Sequence, residues 1–406
     1  MNRHLGPPVT GSILAFLFGM VGAGPSIAQV PGDLSARVEA EARWFPQSPA
    51  DPTQVRNQAS IAINPEWELE WGDRRHLITI EWFGRLDSAD PERSHTDLRI
   101  ASWEYAADAW EIRLGIRRVF WGVTESQHLV DIINQTDLVE NPDGEDKLGQ
   151  LMANFAWIQG WGTLDLFLMT ESRQRTFPGV EGRLRFQPAV APNESFFVGG
   201  ASTGRIDLAA RWAHTLGDWD VGLSHFYGTS RDPRFGITVS EAGNVELLPV
   251  YDLIHQTGLD VQFTRGGWLG KLEAIRRSGQ AETFSALTGG FEYTLVGVLG
   301  SVADIGLLAE YSRDSRGQDA RSLFQNDLFV GSRLALNDVQ STALLVGGAI
   351  DLDTGSLFFS VEGDRRIADG WTIEIESRVF GNTEPTEPLF AFRRDDYLRI
   401  AAVRFF

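Results

Sequence analysis

The chain of 406 residues has no cysteine. Disulfide bonds therefore cannot stabilise it, and cysteine-based metal or redox chemistry is excluded. The sequence also lacks any run of about twenty apolar residues, which a membrane-spanning helix would need. Basic side chains are in the minority, because 36 lysines and arginines stand against 55 acidic residues and leave a net charge of −19. Such an acidic chain is not expected to bind nucleic acid.

The N-terminal region is typical of a secretory signal peptide. Residues 1–28 combine Arg3, an apolar run over 13–23 and a small-residue cleavage site that ends at Ala28. A membrane anchor is the alternative, but the apolar run is short and is interrupted by glycines. The sequence therefore predicts cleavage after Ala28 and export of residues 29–406. No shift in composition divides that remainder, so we expect a single domain.

The commonest pattern in the sequence is an alternation with a period of two residues, clearest over 205–227. One set of positions is apolar, as at Ile206 and Leu208, and the interleaved set is polar, as at Arg205 and Asp207. Successive side chains of a β-strand point to opposite faces, so each strand has one apolar and one polar face. In a soluble sandwich the apolar face would be the interior, whereas in an outer-membrane barrel it would face lipid.

Eighteen segments with this alternation can be placed, each close to the 9–11 residues that a tilted strand needs to cross a bilayer. They are 34–45, 58–71, 75–86, 96–106, 109–119, 150–159, 161–171, 205–216, 218–228, 255–265, 268–277, 283–296, 302–313, 327–337, 342–353, 356–366, 370–381 and 395–406. The sequence predicts an all-β fold, an antiparallel transmembrane β-barrel of about 18 strands with a loop folded into the lumen. Sixteen strands is the alternative.

The connections between these segments sort by length. Every second connection is a turn of at most about five residues, and the intervening set contains all the long ones. The long connections are 46–57, 120–149, 172–204, 229–254, 314–326 and 382–394. Short turns on one rim and long loops on the other are the pattern of outer-membrane barrels. Six tryptophans near the short turns indicate an aromatic girdle at that rim. They are Trp71, Trp110, Trp161, Trp219, Trp268 and Trp371.

Two segments resemble bacterial outer-membrane proteins. Residues 396–406 resemble the terminal strand of such barrels, in which the last phenylalanine, here Phe406, belongs to a signal that the barrel-assembly machinery reads. Arg404 departs from the apolar residue usual in that pattern. The stretch from Arg117 to about Gln150 resembles a group of proteobacterial porin-like barrels in which a strand ends in Trp-Gly and an Asp/Asn-rich stretch follows. The resemblance implies a channel in the outer membrane of a Gram-negative bacterium.

The loop over 120–149 contains apolar residues that are unusual for a loop in water, among them Val130, Ile132 and Ile133. We expect it to fold inward and constrict the pore. The candidate constriction residues are Glu125, His128, Asp131, Asn134, Asp137 and Glu140, with Arg113 and Arg117 on the preceding strand. Opposed charges of this kind would orient passing solutes. The alternative is that these side chains only cap and hydrogen-bond the loop itself.

Inward and outward positions alternate along each strand, and this alternation, hereafter the strand parity, predicts further residues of the lumen wall. The predicted wall residues are Arg205, Asp207, Arg211, Glu374, Glu376 and Arg378. An arginine on the lipid face near mid-membrane would cost about 2–4 kcal/mol, which favours an inward direction. The acidic stretch over 141–146 lacks the spacing of a calcium-binding EF-hand loop. No catalytic residue, metal or cofactor is predicted.

The predicted function is passive or weakly selective diffusion of small hydrophilic solutes, with a weak preference for cations. The expected partners are those solutes, outer-membrane lipid and lipopolysaccharide, and the barrel-assembly machinery; the oligomeric state stays open. One alternative is a structural or adhesive barrel that uses loops 172–204 and 229–254. Another is a lipid-acting enzyme, for which only Ser126 near His128 offers a nucleophile and a base. An energy-coupled receptor is disfavoured because alternation begins by Leu34, which leaves no room for a plug domain.

Overall fold

The computed structural model describes residues 31–191, 194–320 and 322–406. The predicted signal peptide over 1–28 therefore lies outside the described residues. The described chain is all-β, with four short 3₁₀ turns at Pro91–Arg93, Val298–Gly300, Gly317–Asp319 and Pro388–Phe392. No helix within these ranges is long and apolar enough to cross a membrane.

Twenty strands follow one another along the described chain. They are β1 (Asp33–Trp44), β2 (Asn57–Trp71), β3 (His76–Asp87), β4 (Thr96–Ala106), β5 (Trp110–Arg117), β6 (Gln150–Gln159), β7 (Gly162–Met169), β8 (Phe196–Val198), β9 (Asp207–Leu216), β10 (Trp219–Thr229), β11 (Arg234–Val239), β12 (Val245–Arg265), β13 (Trp268–Ser278), β14 (Phe284–Leu295), β15 (Asp304–Asp314), β16 (Asn326–Ala335), β17 (Ala343–Asp351), β18 (Leu357–Ala368), β19 (Trp371–Gly381) and β20 (Tyr397–Phe405).

Eighteen of these strands form one closed antiparallel barrel, and β8 and β11 lie outside it. Each barrel strand pairs with the next along the chain, and β20 pairs with β1 from Arg37↔Phe405 to Trp44↔Leu398. Closure leaves no unpaired sheet edge, which would be costly in hydrocarbon. The predicted antiparallel β-barrel of 18 strands is confirmed, and the alternative of 16 strands is wrong.

The largest departure from the predicted strand bounds is β12. It begins at Val245, ten residues before the predicted start at 255. Its additional outer half pairs with β11, from Arg234↔Val250 to Val239↔Val245, and forms a hairpin beyond the barrel wall. The sequence predicts one long connection over 229–254, so β11 and the outer half of β12 are not among the predicted strands.

Outward and inward positions alternate as the sequence indicates. Leu208 and Leu223 lie on the outer surface with 48% and 50% of their area exposed. Asp207 and Asp260 face the lumen and are 1% and 4% exposed. Because the apolar side chains lie outside and the charged ones inside, this is the reverse of a soluble protein.

The two rims of the barrel differ in the same way as the predicted connections. The short turns include 160–161 between β6 and β7 and 266–267 between β12 and β13. The opposite rim has the longest connections, 118–149 between β5 and β6 and 170–206 between β7 and β9. Trp161 and Trp268 lie at the short turns with 45% and 50% of their area exposed. The amphipathic indole favours a membrane–water boundary, so this placement fits a girdle.

Candidate functional site

The segment 118–149, hereafter the inserted segment, contacts strands on opposite sides of the barrel. Near its end, Glu140 accepts a hydrogen bond from Arg85 Nε of β3 at 2.9 Å. Near its start, Glu125 accepts one from Arg333 Nη2 of β16 at 2.8 Å. Arg333 lies only two residues from Ala335, the end of β16 at the rim that has the short turns. A segment that reaches opposite walls at this depth lies inside the lumen.

One asparagine holds the base of the inserted segment. Asn134 is 2% exposed, and its side-chain oxygen accepts a hydrogen bond from the backbone N–H of Val119 at 2.8 Å. Its amide nitrogen donates to the carbonyl oxygens of Arg117 and Leu148, both at 2.8 Å. The side chain thus satisfies backbone groups at both ends of the segment, where no strand partner exists.

An apolar face fixes the segment against one side of the barrel. Trp121, Val130, Ile132 and Ile133 are at most 5% exposed and belong to one buried cluster. The barrel contributes inward side chains to this cluster, namely Met152, Phe167, Met169, Ala209, Phe226, Ile254, Ile275, Phe284 and Ala286. Burial of each large apolar side chain contributes about 1.5–3 kcal/mol. The inner wall is therefore apolar where the segment covers it, although parity alone predicts a polar lumen face.

Two carboxylates of the barrel wall hold residues 123–130, hereafter the tip of the inserted segment. Glu273 of β13 accepts from the backbone N–H of Thr124 at 3.0 Å, from its hydroxyl at 2.8 Å and from the N–H of Val130 at 3.1 Å. Glu310 of β15 accepts from the N–H and the hydroxyl of Ser126 at 2.8 and 2.7 Å. Charge-assisted bonds to a carboxylate are the stronger kind. Parity places both acids inward, but no sequence pattern marks them as partners of the segment.

His128 belongs to this tip and has acidic partners, whereas Asp131 directly follows the tip and has a basic partner. Nε2 of His128 is 3.0 Å from Glu145, and Nδ1 is 3.8 Å from Glu273. Burial by itself lowers the pKa of His128, but hydrogen bonds and charge from these two glutamates raise it to about 10. Asp131 is 3.1 Å from the ammonium of Lys147, and burial nevertheless raises the pKa of this aspartate.

The end of the inserted segment contacts a dense set of ion pairs that we name the arginine cluster. Its members are Arg43, Arg85, Arg93, Arg99 and Arg399 with Glu39, Glu41, Asp137 and Glu140. Arg99 contacts Asp137 at 2.6 Å, and both are nearly fully buried. Nε2 of His95 donates to the carboxylate of Glu140 at 2.7 Å. A space of about 210 Å³ lies within the cluster.

Two carboxyl groups of the segment titrate abnormally beside this cluster. Burial by itself raises the pKa of Glu140, but the hydrogen bond with His95 and the charges of Arg85 and Arg93 lower it to about 2. Asp146 behaves in the opposite way, because burial and the neighbouring Asp143 raise its pKa to about 7. Most arginines of the cluster are not among the predicted site residues, although strand parity indicates an inward direction for those that lie on strands.

Arg113 and Arg117 pair with the barrel wall. Arg113 is 3.4 Å from Glu104 of β4 and 3.6 Å from Asp165 of β7. Arg117 is 3.4 Å from the same Glu104 and donates to Asn154 at 3.4 Å. Among the described residues, neither arginine contacts a carboxylate of the inserted segment. The guanidinium groups that do so are those of Arg85 and Arg99 in the arginine cluster and, outside it, those of Arg333 and Arg378.

The six predicted wall residues are all engaged in polar contacts. Arg205 is 3.6 Å from Asp207, which also contacts Arg231 at 2.8 Å. Arg211 contacts Asp260 at 2.6 Å.

The other three wall residues lie on β19. Glu374 is 3.0 Å from Arg37. Glu376 accepts a hydrogen bond from the hydroxyl of Tyr397. Arg378 contacts Asp143 of the inserted segment at 2.8 Å, so β19 also anchors the segment.

A second space, about 300 Å³, lies between the inserted segment and strands β16–β19. We name it the apolar cavity, because Phe329, Leu345, Phe358 and Phe380 form its wall. Its rim is polar and includes Arg378 together with acidic side chains of the wall and of the inserted segment. No sequence pattern predicts this cavity, because it forms from inward phenylalanines at positions where parity leads one to expect polar residues.

The remaining candidate residues lie as follows. Phe406 is 65% exposed, and its backbone N–H donates to the carbonyl of Ala36 at 3.0 Å. The hydroxyl of Ser126 bonds to Glu310, and no contact with His128 is found in the described part of the chain. Within the same ranges, no group of three or more His, Asp or Glu side chains is arranged to hold a metal ion.

Comparisons with known proteins give only remote similarity. No model of a protein family matches the chain, and no curated protein matches it. Among similar solved structures are two substituted variants of the porin of Rhodopseudomonas blastica. Both are 10% identical, cover 92% of this chain and 99% of the porin chain, and have TM-scores of 0.44 and 0.43. Values this low carry no argument about this chain, whose architecture is established by its own strand pairing.

Proposed function

We propose that the protein is a porin-like channel of the outer membrane that lets small hydrophilic solutes diffuse passively or with weak selectivity. The observation that carries this proposal is a closed barrel of 18 strands with a segment pinned inside it. A barrel of this size is too wide for its own side chains to fill. Spaces of about 210 and 300 Å³ lie on the two sides of the segment.

The inserted segment serves as the constriction in this proposal, and its predicted residues divide into two roles. Glu125 and His128 border the apolar cavity and would meet the passing solute. Asn134, Asp137 and Glu140 are at most 5% exposed and would hold the segment in position. Arg113 and Arg117 would contribute to the field of the wall rather than pair with the segment.

The outer surface supports a membrane location. Leucine, tryptophan and phenylalanine side chains with large exposed areas, such as Leu208, Trp219 and Phe291, cover the outside of the strands. This surface would contact outer-membrane lipid and lipopolysaccharide. Export after cleavage at Ala28 and recognition of Phe406 by the assembly machinery complete the proposal and rest on the sequence.

A weak preference for cations follows from the charge balance. The chain has a net charge of −19, and the apolar cavity has more acidic than basic lining groups. Rings or clusters of acidic side chains favour cations in channels. The many paired arginines of the other wall limit this preference.

Planar-bilayer recordings test the channel function. The purified, folded protein should give discrete conductance steps in KCl. Replacement of residues 125–146 by a short glycine–serine linker should raise the conductance about two-fold or more, because the narrowest cross-section limits the current. A folded barrel that gives no steps at high salt would refute the proposal.

Cysteine labelling locates the passage, since the chain has no cysteine of its own. In Ser360→Cys, a cationic methanethiosulfonate reagent should reduce the conductance, because Ser360 lines the apolar cavity. Glu241→Cys, in the exposed turn beyond β11, is the matched control and should be insensitive. Equal insensitivity of both variants would contradict a passage along this wall.

A further inference from the structure

The apolar cavity has the size and surface of a binding site for a small aromatic or aliphatic group. The rings of Phe358 and Phe380 are 5.7 Å apart, and those of Phe380 and Phe392 are 5.5 Å apart. All three line the cavity together with Phe329. An apolar cavity of about 150 Å³ accepts benzene. The volume of about 300 Å³ therefore accommodates a ring with a short substituent.

The polar part of the cavity has an excess of negative charge. Its lining contains two basic side chains, Arg378 and His128. The acidic lining residues are Glu125, Asp143, Glu145, Asp327 and Glu362. Glu125 is also paired with Arg333 at 2.8 Å and with Lys271 at 3.5 Å, so the five carboxylates exceed the four basic groups by one negative charge when His128 is protonated. A concave site with one dominant sign of charge attracts ligands of the opposite sign and repels the others.

One of these carboxylates has no counter-ion in the described residues. Asp327 is 4% exposed, and its Oδ2 accepts from the backbone N–H groups of Gln325 and Asn326 at 2.6 and 3.0 Å. Within the described ranges its Oδ1 has no hydrogen-bond partner, and its register partner on β17 is another acid, Asp351. A buried carboxylate without a cation is unfavourable. A cationic ligand in the cavity would offset this cost.

We propose that the apolar cavity binds small organic cations, namely an ammonium group attached to an aromatic or compact aliphatic body. The ammonium group faces Asp327, and the body packs on Phe329, Phe358 and Phe380, whose ring faces also attract cations. The site specifies a substrate class for the proposed channel. This proposal rests on the proposed channel function only for the route that the cation takes through the barrel, not for its binding.

Calorimetry on the purified, folded protein tests the binding directly. The probe is benzyltrimethylammonium, compared with tetramethylammonium, which lacks the aromatic body, and with phenylacetate, which reverses the charge. We expect benzyltrimethylammonium to bind about ten-fold or more tightly than either, because each lacks one of the two recognised features. Similar affinity for phenylacetate and benzyltrimethylammonium would overturn the proposal, and so would no binding of the latter.

Two variants assign the binding to this cavity. Asp327→Asn keeps the shape and the acceptor oxygen but removes the charge, and should weaken binding of benzyltrimethylammonium about ten-fold. Ser360→Lys adds a cation to the cavity wall and should weaken it at least as much, even if the first variant folds poorly. Asp369→Asn, in an exposed turn at the other rim, is the matched control and should bind like the parent. Unchanged affinity in both cavity variants would refute the assignment.

Block of the KCl current by benzyltrimethylammonium separates this proposal from the channel function. Binding without conductance steps would refute the channel and leave the cation site standing. Conductance steps without binding or block would refute the cation site and leave the channel standing.

Discussion

Two regions of the lumen differ in how far their buried acidic side chains are paired with basic ones. In the arginine cluster, Arg85 contacts Glu140 at 2.9 Å and Glu39 at 3.2 Å, so buried acids and guanidinium groups alternate. In the apolar cavity, phenylalanines replace the arginines, and Asp327 has no basic partner within the described residues. The first wall therefore holds the inserted segment with many ion pairs, whereas the second holds it with few and leaves space and an unpaired carboxylate for a solute.

The difference originates in the strands themselves. In β1, inward Glu39, Glu41 and Arg43 alternate with small outward alanines. In β16 and β18, Phe329 and Phe358 take the inward positions. The charged wall therefore has side chains that pair with the inserted segment, and the aromatic wall has few that can do so.

The largest effect is expected from breaking the arginine cluster with Arg85→Ala. This change leaves Glu39 and Glu140 buried without one of their partners, and removal of one member of a buried ion pair costs about 3–5 kcal/mol. The measurement is the free energy of unfolding by urea in lipid vesicles.

The matched control is Arg333→Ala on the aromatic side. The side chain of Arg333 is 44% exposed and pairs with Glu125 at 2.8 Å. Exposed pairs contribute only about 0–1 kcal/mol. Equal losses in Arg85→Ala and Arg333→Ala would contradict this difference between the two walls.

A smaller effect is expected from Glu273→Gln, which tests how the segment tip is held between the two regions. The carboxylate accepts from Val123, Thr124 and Val130, whereas one end of a glutamine amide can only donate. Each hydrogen bond to a charged group contributes about 1.5–3 kcal/mol, so the tip should detach and the conductance should rise. Glu292→Gln on β14 is the control, since Glu292 contacts Lys271 and not the segment. The same conductance in both variants would show that Glu273 does not anchor the tip.

The strands and their connections could be predicted from the sequence, because alternation with a period of two and the length of each connection are local properties. The interior could not. Phe358 and Phe359 are adjacent and chemically identical, yet Phe359 is 43% exposed outside and Phe358 lines the cavity. Likewise Glu273 and Glu310 bind backbone groups 143 or more residues away in sequence. Such pairings depend on the path of the inserted segment, which the local pattern does not contain.

The smallest change in stability, counted for each pH unit, is expected from a change in pH. The two regions should respond to it in opposite directions. Glu140, in the arginine cluster, has a pKa lowered from 4.5 to about 2, so its contribution to stability is present above 4.5 and is lost as the pH falls through 2. His128, at the apolar cavity, has a pKa raised from 6.5 to about 10, so its contribution is complete below 6.5 and is lost as the pH rises through 10.

Raising the pH from neutral should therefore loosen the tip and leave the arginine cluster intact. Between the two pKa values of His128 the loss is at most about 1.4 kcal/mol per pH unit. The measurement is single-channel conductance and its noise as the pH is raised, with His128→Gln as the variant that cannot titrate. The parent should become noisier with rising pH, while the variant should be noisy already at neutral pH and change little. An identical alkaline response in the two proteins would place the titrating group elsewhere and remove the proposed asymmetry between the walls.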